Sequence, residues 1–598
     1  MTADAQSDEF GPWNPGIRSQ LPRELLPLST IFRPENVFTS VEEAEELNDF
    51  TGLLREDLVT FRPERLVVHE LLIRVTANIS VPDGQRYEDL GINFRAMTDR
   101  ILSRHIDPHM AGIVQAYDDL NRRVRTLIED ELLADEPQSV AEAPRGLLAR
   151  LGFGGNKKAD TRSSESLDEK ERRRLDEWRR LADAGGDALT ECACRYLVKV
   201  AEAIRIKHGR LAGEPELLTK LVAGMVCNDR GSEMIGGIVE PYIREAAAAE
   251  GYCLLPAQDR PVVMNVKGAS ASGKSTMRPL QKKLAAEIGA EWSEFALISP
   301  DIWRKYLLDY DSLGEAYKYA GTCTGHELWI VDQKLDRYVA EKAKRGEMSH
   351  LLIDRFRFES FAPESEEEGS NLLTRFGESI YMFFMITPPD ATVERAWERG
   401  LKVGRYKAVD DLLDHNVEAY TGMPQLFFTW ALRDGKTVHY EFLDNSVAKG
   451  ERPQTVAFGS NDELNVLDIK CLLDIDRYRK IDIDARAAGD VYPAAETMDP
   501  NNNTEFLQQC ARLMPAVNFL DGATGRIYAR IEAGELIWTD PKLFAEAVED
   551  EDTRVGFLAL APEVMRADDG GEAGPRMLDV DRFHTLGEWG VAVVTSNP

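Results

Sequence analysis

The sequence predicts an α/β P-loop kinase domain, a parallel sheet flanked by helices. An α-rich N-terminal region precedes it and a small mixed α+β C-terminal domain follows. Three observations carry this prediction. Apolar residues before about position 250 recur at helical spacing, and between 256 and 450 short β-branched or aromatic runs alternate with helical stretches. At the head of that alternating stretch, Gly268-Ala269-Ser270-Ala271-Ser272-Gly273-Lys274-Ser275 matches G-x-x-x-x-G-K-[ST] in full, and Thr276 follows.

With 598 residues, 43% hydrophobic and 29% charged, the chain is globular in composition and too long for one core. The 72 Lys+Arg against 103 Asp+Glu give a net charge of -31. This argues against a general phosphate-backbone binder and makes nucleic acid a disfavoured partner, although a locally basic cleft is allowed. The acidity is uneven: residues 258–449 hold 25 basic and 30 acidic residues, whereas 481–598 hold 9 and 22, so the tail reads as an acidic unit. Seven scattered cysteines form no C-x-x-C pair, as expected of reduced intracellular thiols. The N-terminus has no basic and apolar leader, and no apolar run reaches about 18 residues, so the expectation is a cytoplasmic protein without a membrane span.

In chain order, residues 1–40 are Pro-rich and polar, an extended arm. Residues 41–135 form a helical domain, with Phe94, Met97 and Ile101 and then Val114, Tyr117, Leu120, Val124 and Leu127 on one stripe. Residues 136–170 lack that spacing and read as a flexible linker. Residues 171–255 resume it, with Cys192, Tyr196, Val200 and Ile204 four apart, and stop at Gly251. Cys192 and Cys194, two apart on a helix, point to different faces and read as core residues. Residues 256–450 hold five strands, at 262–266, 295–299, 350–354, 380–386 and 438–443, with helices between them, which implies parallel pairing. Residues 451–598 make the acidic α+β domain, with a hairpin over 525–538 and a helix from Pro541.

The glycine loop follows a strand and opens a helix carrying Leu280, Leu284 and Ile288, the order a phosphate cradle needs. Glycines let successive N–H groups face a phosphate, and the helix N-terminus adds positive potential. Lys274 reaches the β/γ-phosphates of ATP, and Ser275 is placed to ligate Mg²⁺. No N-K-x-D for guanine and no Walker B acidic pair is present. Instead strand two ends in Ser299-Pro-Asp301-Ile-Trp-Arg304, where a lone aspartate at a strand's carboxyl end can take the proton of an attacking hydroxyl. Strand three ends in Asp354-Arg355-Phe-Arg357, which sets a carboxylate and two guanidinium groups where a hydroxylated substrate sits. After strand four, Arg395 and Arg399 share a helix face. Gly400 and Gly404 bracket a mobile segment with Lys402 and Arg405, an arginine-rich lid over the triphosphate.

These residues, from Pro261 to about Ser446, resemble the zeta-toxin family of P-loop kinases. The resemblance implies that Asp301 is the catalytic base, that Asp354 is the substrate carboxylate, and that Arg395 and Arg405 contact phosphate. It also implies a helix carboxylate at the substrate, one of Glu327, Asp332 and Asp336. It further implies phosphorylation of the 3′-hydroxyl of UDP-N-acetylglucosamine, and a helical antitoxin as partner. Residues 41–250 are the segment that would act as such an inhibitor in cis. The stretch Asp354-Arg-Phe-Arg-Phe is bulkier and more basic than the family's E-G-T-x-R. The expected activity is therefore ATP- and Mg²⁺-dependent transfer to a hydroxyl of a small molecule. A polynucleotide or nucleoside kinase of the same fold, and a non-catalytic nucleotide-dependent switch, stand as alternatives.

Overall fold

The computed structural model describes residues 10–133, 167–355, 372–562 and 576–590. Most of the expected linker, and Arg357, lie outside the described residues. The helices, in chain order, begin with α1 (Val41–Thr51), α2 (Pro63–Asn78), α3 (Asp89–Ile101), α4 (Met110–Leu133), α5 (Leu167–Ala182), α6 (Ala188–His208), α7 (Pro215–Val226), α8 (Ser232–Glu250) and α9 (Arg278–Glu287). They continue with α10 (Arg304–Leu307), α11 (Ala320–Lys344), α12 (Pro389–Val403), α13 (Val409–Ala431), α14 (Ile469–Tyr478), α15 (Ala495–Met498), α16 (Glu505–Leu513), α17 (Pro541–Ala547) and α18 (Glu551–Leu560). The strands are β1 (Val262–Lys267), β2 (Phe295–Ile298), β3 (His350–Ile353), β4 (Ser379–Ile386), β5 (Thr437–Asp444), β6 (Gln454–Ser460), β7 (Glu463–Val466), β8 (Ala516–Leu520), β9 (Arg526–Glu532), β10 (Glu535–Thr539) and β11 (Arg576–Met577). No described helix is long and apolar enough to cross a membrane.

The chain divides into two compact units: residues 31–71 with 103–242, and residues 1–30 with 72–102 and 243–598. These limits differ from the expected ones at 40, 135, 170, 255 and 450. The first of the two units is helical. Val124, Ile128, Trp178, Cys192, Cys194, Leu197 and Val222 share its core, so the cysteine pair is core material. Asp187 caps α6, accepting from Thr190 N at 3.1 Å, and Gly209 ends it at φ +75°.

The second unit is mixed α/β. Its sheet runs β10-β9-β8-β7-β6-β5-β4-β1-β3-β2, with β11 on β9. Neighbours among β2, β3, β1, β4 and β5 pair in parallel, as the alternation of strands and helices required. Contrary to expectation, residues past 450 do not build a separate sheet. β6 pairs antiparallel with β5 and β7 with β6, then β8 joins parallel and the hairpin β9–β10 extends the edge. An open β5 edge would leave a row of unpaired backbone groups, which β6 satisfies.

Residues 72–102 also belong to this unit, for identifiable reasons. Buried Trp303 Nε1 donates to Thr76 Oγ1 at 3.2 Å. Buried Lys342 Nζ donates to Ala77 O and Asn78 Oδ1 at 2.8 Å each. Leu90 joins the core formed by Met264, Val266, Met277, Leu297 and Phe383. A helix-period reading marks these residues as apolar or polar but says nothing of which layer they cover. The arm is also docked in this unit: Trp13 Nε1 donates to Glu394 at 3.0 Å, and Leu21 and Leu28 pack beside Leu308 and Leu313.

Candidate functional site

The glycine loop joins β1 to α9 at the carboxyl ends of the central strands, where the strand order reverses direction. Gly268 (φ +154°) and Gly273 (φ +99°) take conformations closed to most side chains. A Cβ on Gly268 would stand 2.8 Å from Met385 Cβ, and one on Gly273 would stand 2.3 Å from Asn445 Nδ2. Ala271 also adopts positive φ, at 64°. The carbonyl of Ser272 is tied down by Asn445 Nδ2 at 2.6 Å and Thr387 Oγ1 at 3.1 Å. Thr276 Oγ1 donates to Gly273 O at 2.6 Å. Lys274 Nζ donates to the loop's own carbonyls, Gly268 O at 2.8 Å and Ala269 O at 2.7 Å. Burial lowers its pKa to about 8, opposed by Asp354 and Asp301.

The helix does not open at Lys274 as expected. Residues Lys274–Met277 form a 3₁₀ turn, and α9 starts at Arg278 with Pro279 in its first turn. Proline has no N–H to donate to Ser275 O, so the α-pattern cannot extend back through the loop.

Asp301 lies just past β2, in the 3₁₀ turn Pro300–Trp303. Its Oδ1 accepts from Arg304 Nε at 2.8 Å, and its Oδ2 pairs with Arg405 Nη1 at 3.0 Å. Burial pushes this carboxyl up, but the guanidinium groups of Arg405 and Arg304 outweigh it and hold the pKa well below the usual carboxylate range. Asp354, at the end of β3, lines one cavity with Lys274, Ser275, Arg278, Gln281 and Ser299. Ser275 and Asp354 thus offer a hydroxyl and a carboxylate oxygen, donors that suit a hard cation such as Mg²⁺. Among the described residues no group of three His, Cys, Asp or Glu could hold a metal by itself.

Three expected roles change. Arg355 does not face the cavity beside the loop: its side chain is 2% exposed, and it reaches Asp332 and Asp336 of α11 at 2.6 Å each. A guanidinium buried that deeply needs paired carboxylates, and this occupies two of the three candidate helix acids. The third, Glu327, is fully buried. Arg395 does not reach Asp301; its Nη2 donates to Asn445 O at 2.7 Å and Val447 O at 3.2 Å, beyond β5. Arg399, one turn on, donates to Arg405 O at 3.3 Å and is the α12 arginine beside the Asp301–Arg405 pair. Burial and Arg405 lower its pKa to about 9. Gly400 is no hinge, because it lies inside α12 and a Cβ there would meet Tyr406 Cδ1 at 2.4 Å. Gly404, at φ +74°, does end the helix.

Sequence reasoning missed several neighbours. Lys407 Nζ lies 2.9 Å from His415 Nε2 and 3.4 Å from Asp411, and burial lowers its pKa to about 8. Arg304 was legible as the i+3 partner of Asp301, and Arg278 and Gln281 as one face of the helix after the loop. Leu90 and Tyr87 carried no signal, since they come from a segment some 170 or more positions before the loop.

No family model, no curated protein and no solved structure matches the chain.

Proposed function

We propose that this chain is an ATP- and Mg²⁺-dependent phosphotransferase of the P-loop kinase class that resembles the zeta toxins. Its acceptor is a hydroxyl of a small molecule, with a nucleotide sugar such as UDP-N-acetylglucosamine as the leading candidate. One observation carries the reading: the glycine loop with Lys274 and the carboxylates Asp301 and Asp354, from three separate strand ends, stand together. Bound Mg²⁺ would neutralise phosphate charge, held by Ser275 and the Asp354 carboxylate.

In the reaction, Asp301 accepts the proton of the acceptor hydroxyl as its oxygen attacks the γ-phosphorus. The β–γ bridging P–O bond breaks and ADP leaves. A carboxylate held as low as Asp301 is a weak base, so its arginine partner must leave before it can act. Arg405 has an alternative partner in the γ-phosphoryl group. A shift of Arg405 from Asp301 to that phosphoryl stabilises its charge and frees the base in one movement. Arg399 supplies the second guanidinium on the same side.

Arg304, Arg399 and Arg405 gathered about Asp301 favour a second reading, a kinase for nucleotide or polynucleotide ends, whose acceptor brings its own phosphate. The test offers γ-labelled ATP with separate pools of nucleotide sugars, sugars, nucleosides, RNA ends and proteins. Label in nucleotide sugars supports the first reading and label in RNA ends the second. Absence of transfer to every pool by a chain that binds ATP contradicts both and leaves the non-catalytic switch.

A further inference from the structure

The N-terminal arm, whose composition reads as extended, is a folded turn that grips the segment carrying Arg405. Gly11 and Asn14 each donate a backbone N–H to the other's carbonyl, at 3.0 and 3.1 Å, which closes a tight turn around Pro12 and Trp13. The Trp13 ring packs against the cluster of Val393 on α12 with Val409 and Leu413 on α13, while its Nε1 holds Glu394 of α12. Ser19 Oγ donates to Asp410 Oδ2 at 3.0 Å, in the first turn of α13. Farther along, Thr30 N donates to Cys323 O at 2.9 Å and ties the arm to α11. The arm therefore touches both helices that flank residues 404–408.

Lys318, in the 3₁₀ segment Tyr310–Tyr319, joins the arm to those residues. Its Nζ donates to Pro15 O at 2.8 Å and stands 3.7 Å from the centroid of the Phe10 ring, 5.5 Å from that of Tyr406 and 5.8 Å from that of Trp397. One ammonium is thus attracted to a ring of the arm, a ring of α12 and the ring next to Arg405. Tyr406 is buried, and its ring also meets Trp397 and Tyr317 edge-on, at 5.5 and 5.8 Å. Arg405, one residue before it, pairs with Asp301. Neighbouring Cα atoms stay about 3.8 Å apart, so a fixed Tyr406 limits how far Arg405 can swing. We propose that Lys318 and the arm turn at residues 10–19 are positioning elements: they hold Tyr406, keep Arg405 on Asp301, and form a clasp in cis whose opening lets Arg405 reach the transferring phosphoryl group. The proposal rests on the phosphotransferase reading and adds a control to it. The contacts named fall on α11, α12, α13 and the 3₁₀ segment, none on the glycine loop, so the clasp governs turnover rather than entry of ATP. It is separate from residues 41–250, whose removal takes the arm away with them, so point variants in the full chain isolate it.

The test compares the wild type with Trp13→Ala, Lys318→Met and Lys318→Arg. Hydrogen exchange over residues 10–19, read by mass spectrometry, reports whether the clasp has opened, because the Gly11, Asn14 and Arg18 amides are all bonded in the closed arm. ADP release from ATP·Mg²⁺ in the presence of the acceptor pools reads turnover, and calorimetry reads ATP affinity. Trp13→Ala and Lys318→Met should exchange faster and raise kcat about fivefold, the gain in open fraction on losing one such cation–π contact. ATP affinity should stay within about twofold in both. Lys318→Arg, which keeps a cation among the rings, should match the wild type in all three measurements. An arm with a structural role alone gives faster exchange with unchanged or lower kcat, and that result overturns the clasp. Arm protection that survives both Trp13→Ala and Lys318→Met overturns it as well. Absence of ATP binding by the wild type, or of turnover by every variant, contradicts the phosphotransferase reading itself and removes the clasp with it.

Discussion

Lys274 and Asp301 are the residues where the electrostatics make the sharpest statements. With a pKa of about 8, Lys274 is protonated below that pH, so the unliganded site already carries the cation that phosphate needs. Above pH 8 binding must take up a proton, and affinity falls as pH rises, by at most tenfold per unit. ATP·Mg²⁺ affinity is therefore expected to be flat from about pH 6.5 to 8 and to decline above it. Calorimetry in two buffers of different ionisation heat should show proton uptake only on the declining limb. For Asp301, replacement by Asn removes the proposed base and leaves the glycine loop, so turnover should drop at least about a hundredfold while ATP binding remains. Loss of ATP affinity with little change in turnover would make Asp301 a metal ligand. The sequence spacing made Asp301, Asp354 and Lys274 legible because strand ends and the loop fix where they point. It misplaced Arg355 because nothing in a linear spacing tells a guanidinium facing solvent from one facing two aspartates on a distant helix.

Among the elements, α12 differs most from its reading as a helix followed by a mobile segment between Gly400 and Gly404. Arg395 anchors the turn after β5, and through Asn445 that turn also holds Ser272 of the glycine loop. Arg399 sits beside Arg405. The expected result is that Arg399→Ala and Arg405→Ala each slow transfer by about a hundredfold or more while ATP affinity changes little. Arg395→Ala should disturb ATP affinity and transfer together, because it loosens the loop. Steady-state kinetics with calorimetry on the three variants distinguishes these patterns. Gly400→Ala forces a methyl into the Tyr406 ring and should cost about 1–3 kcal/mol in denaturant unfolding, with no gain in lid motion. Periodicity located this helix well, but the reason for its glycine is a packed ring on another turn, which no one-dimensional pattern carries.

On the scale of the whole molecule, the five parallel strands and their helices were legible because each buried strand is a short apolar run between turn signals. Two features were not. The extension of the sheet past 450 rests on edge pairing, which depends on register between segments rather than on either segment's composition. The contribution of residues 72–102 to the sheet-bearing unit rests on contacts such as Trp303 with Thr76 and Lys342 with Ala77 and Asn78. A fragment starting near residue 251 would leave Lys342 and Trp303 without these partners, so it should melt at lower temperature than the full chain. This bears on the expectation that residues 41–250 inhibit in cis, which requires the shortened chain to turn over ATP faster. Calorimetric melting of the fragment alongside its turnover decides between the two outcomes.

The proposed chemistry is transfer of phosphoryl from ATP to a hydroxyl by the glycine loop and the strand-end carboxylates. Its most direct test is transfer of γ-label from ATP·Mg²⁺ to the acceptor pools by the wild type, Lys274→Ala and Asp301→Asn, measured side by side with their thermal transitions. The expected outcome is label in a hydroxyl-bearing small-molecule pool for the wild type, loss of that label in both variants, and thermal transitions close to that of the wild type. Equal labelling by Lys274→Ala with an unchanged thermal transition would contradict it.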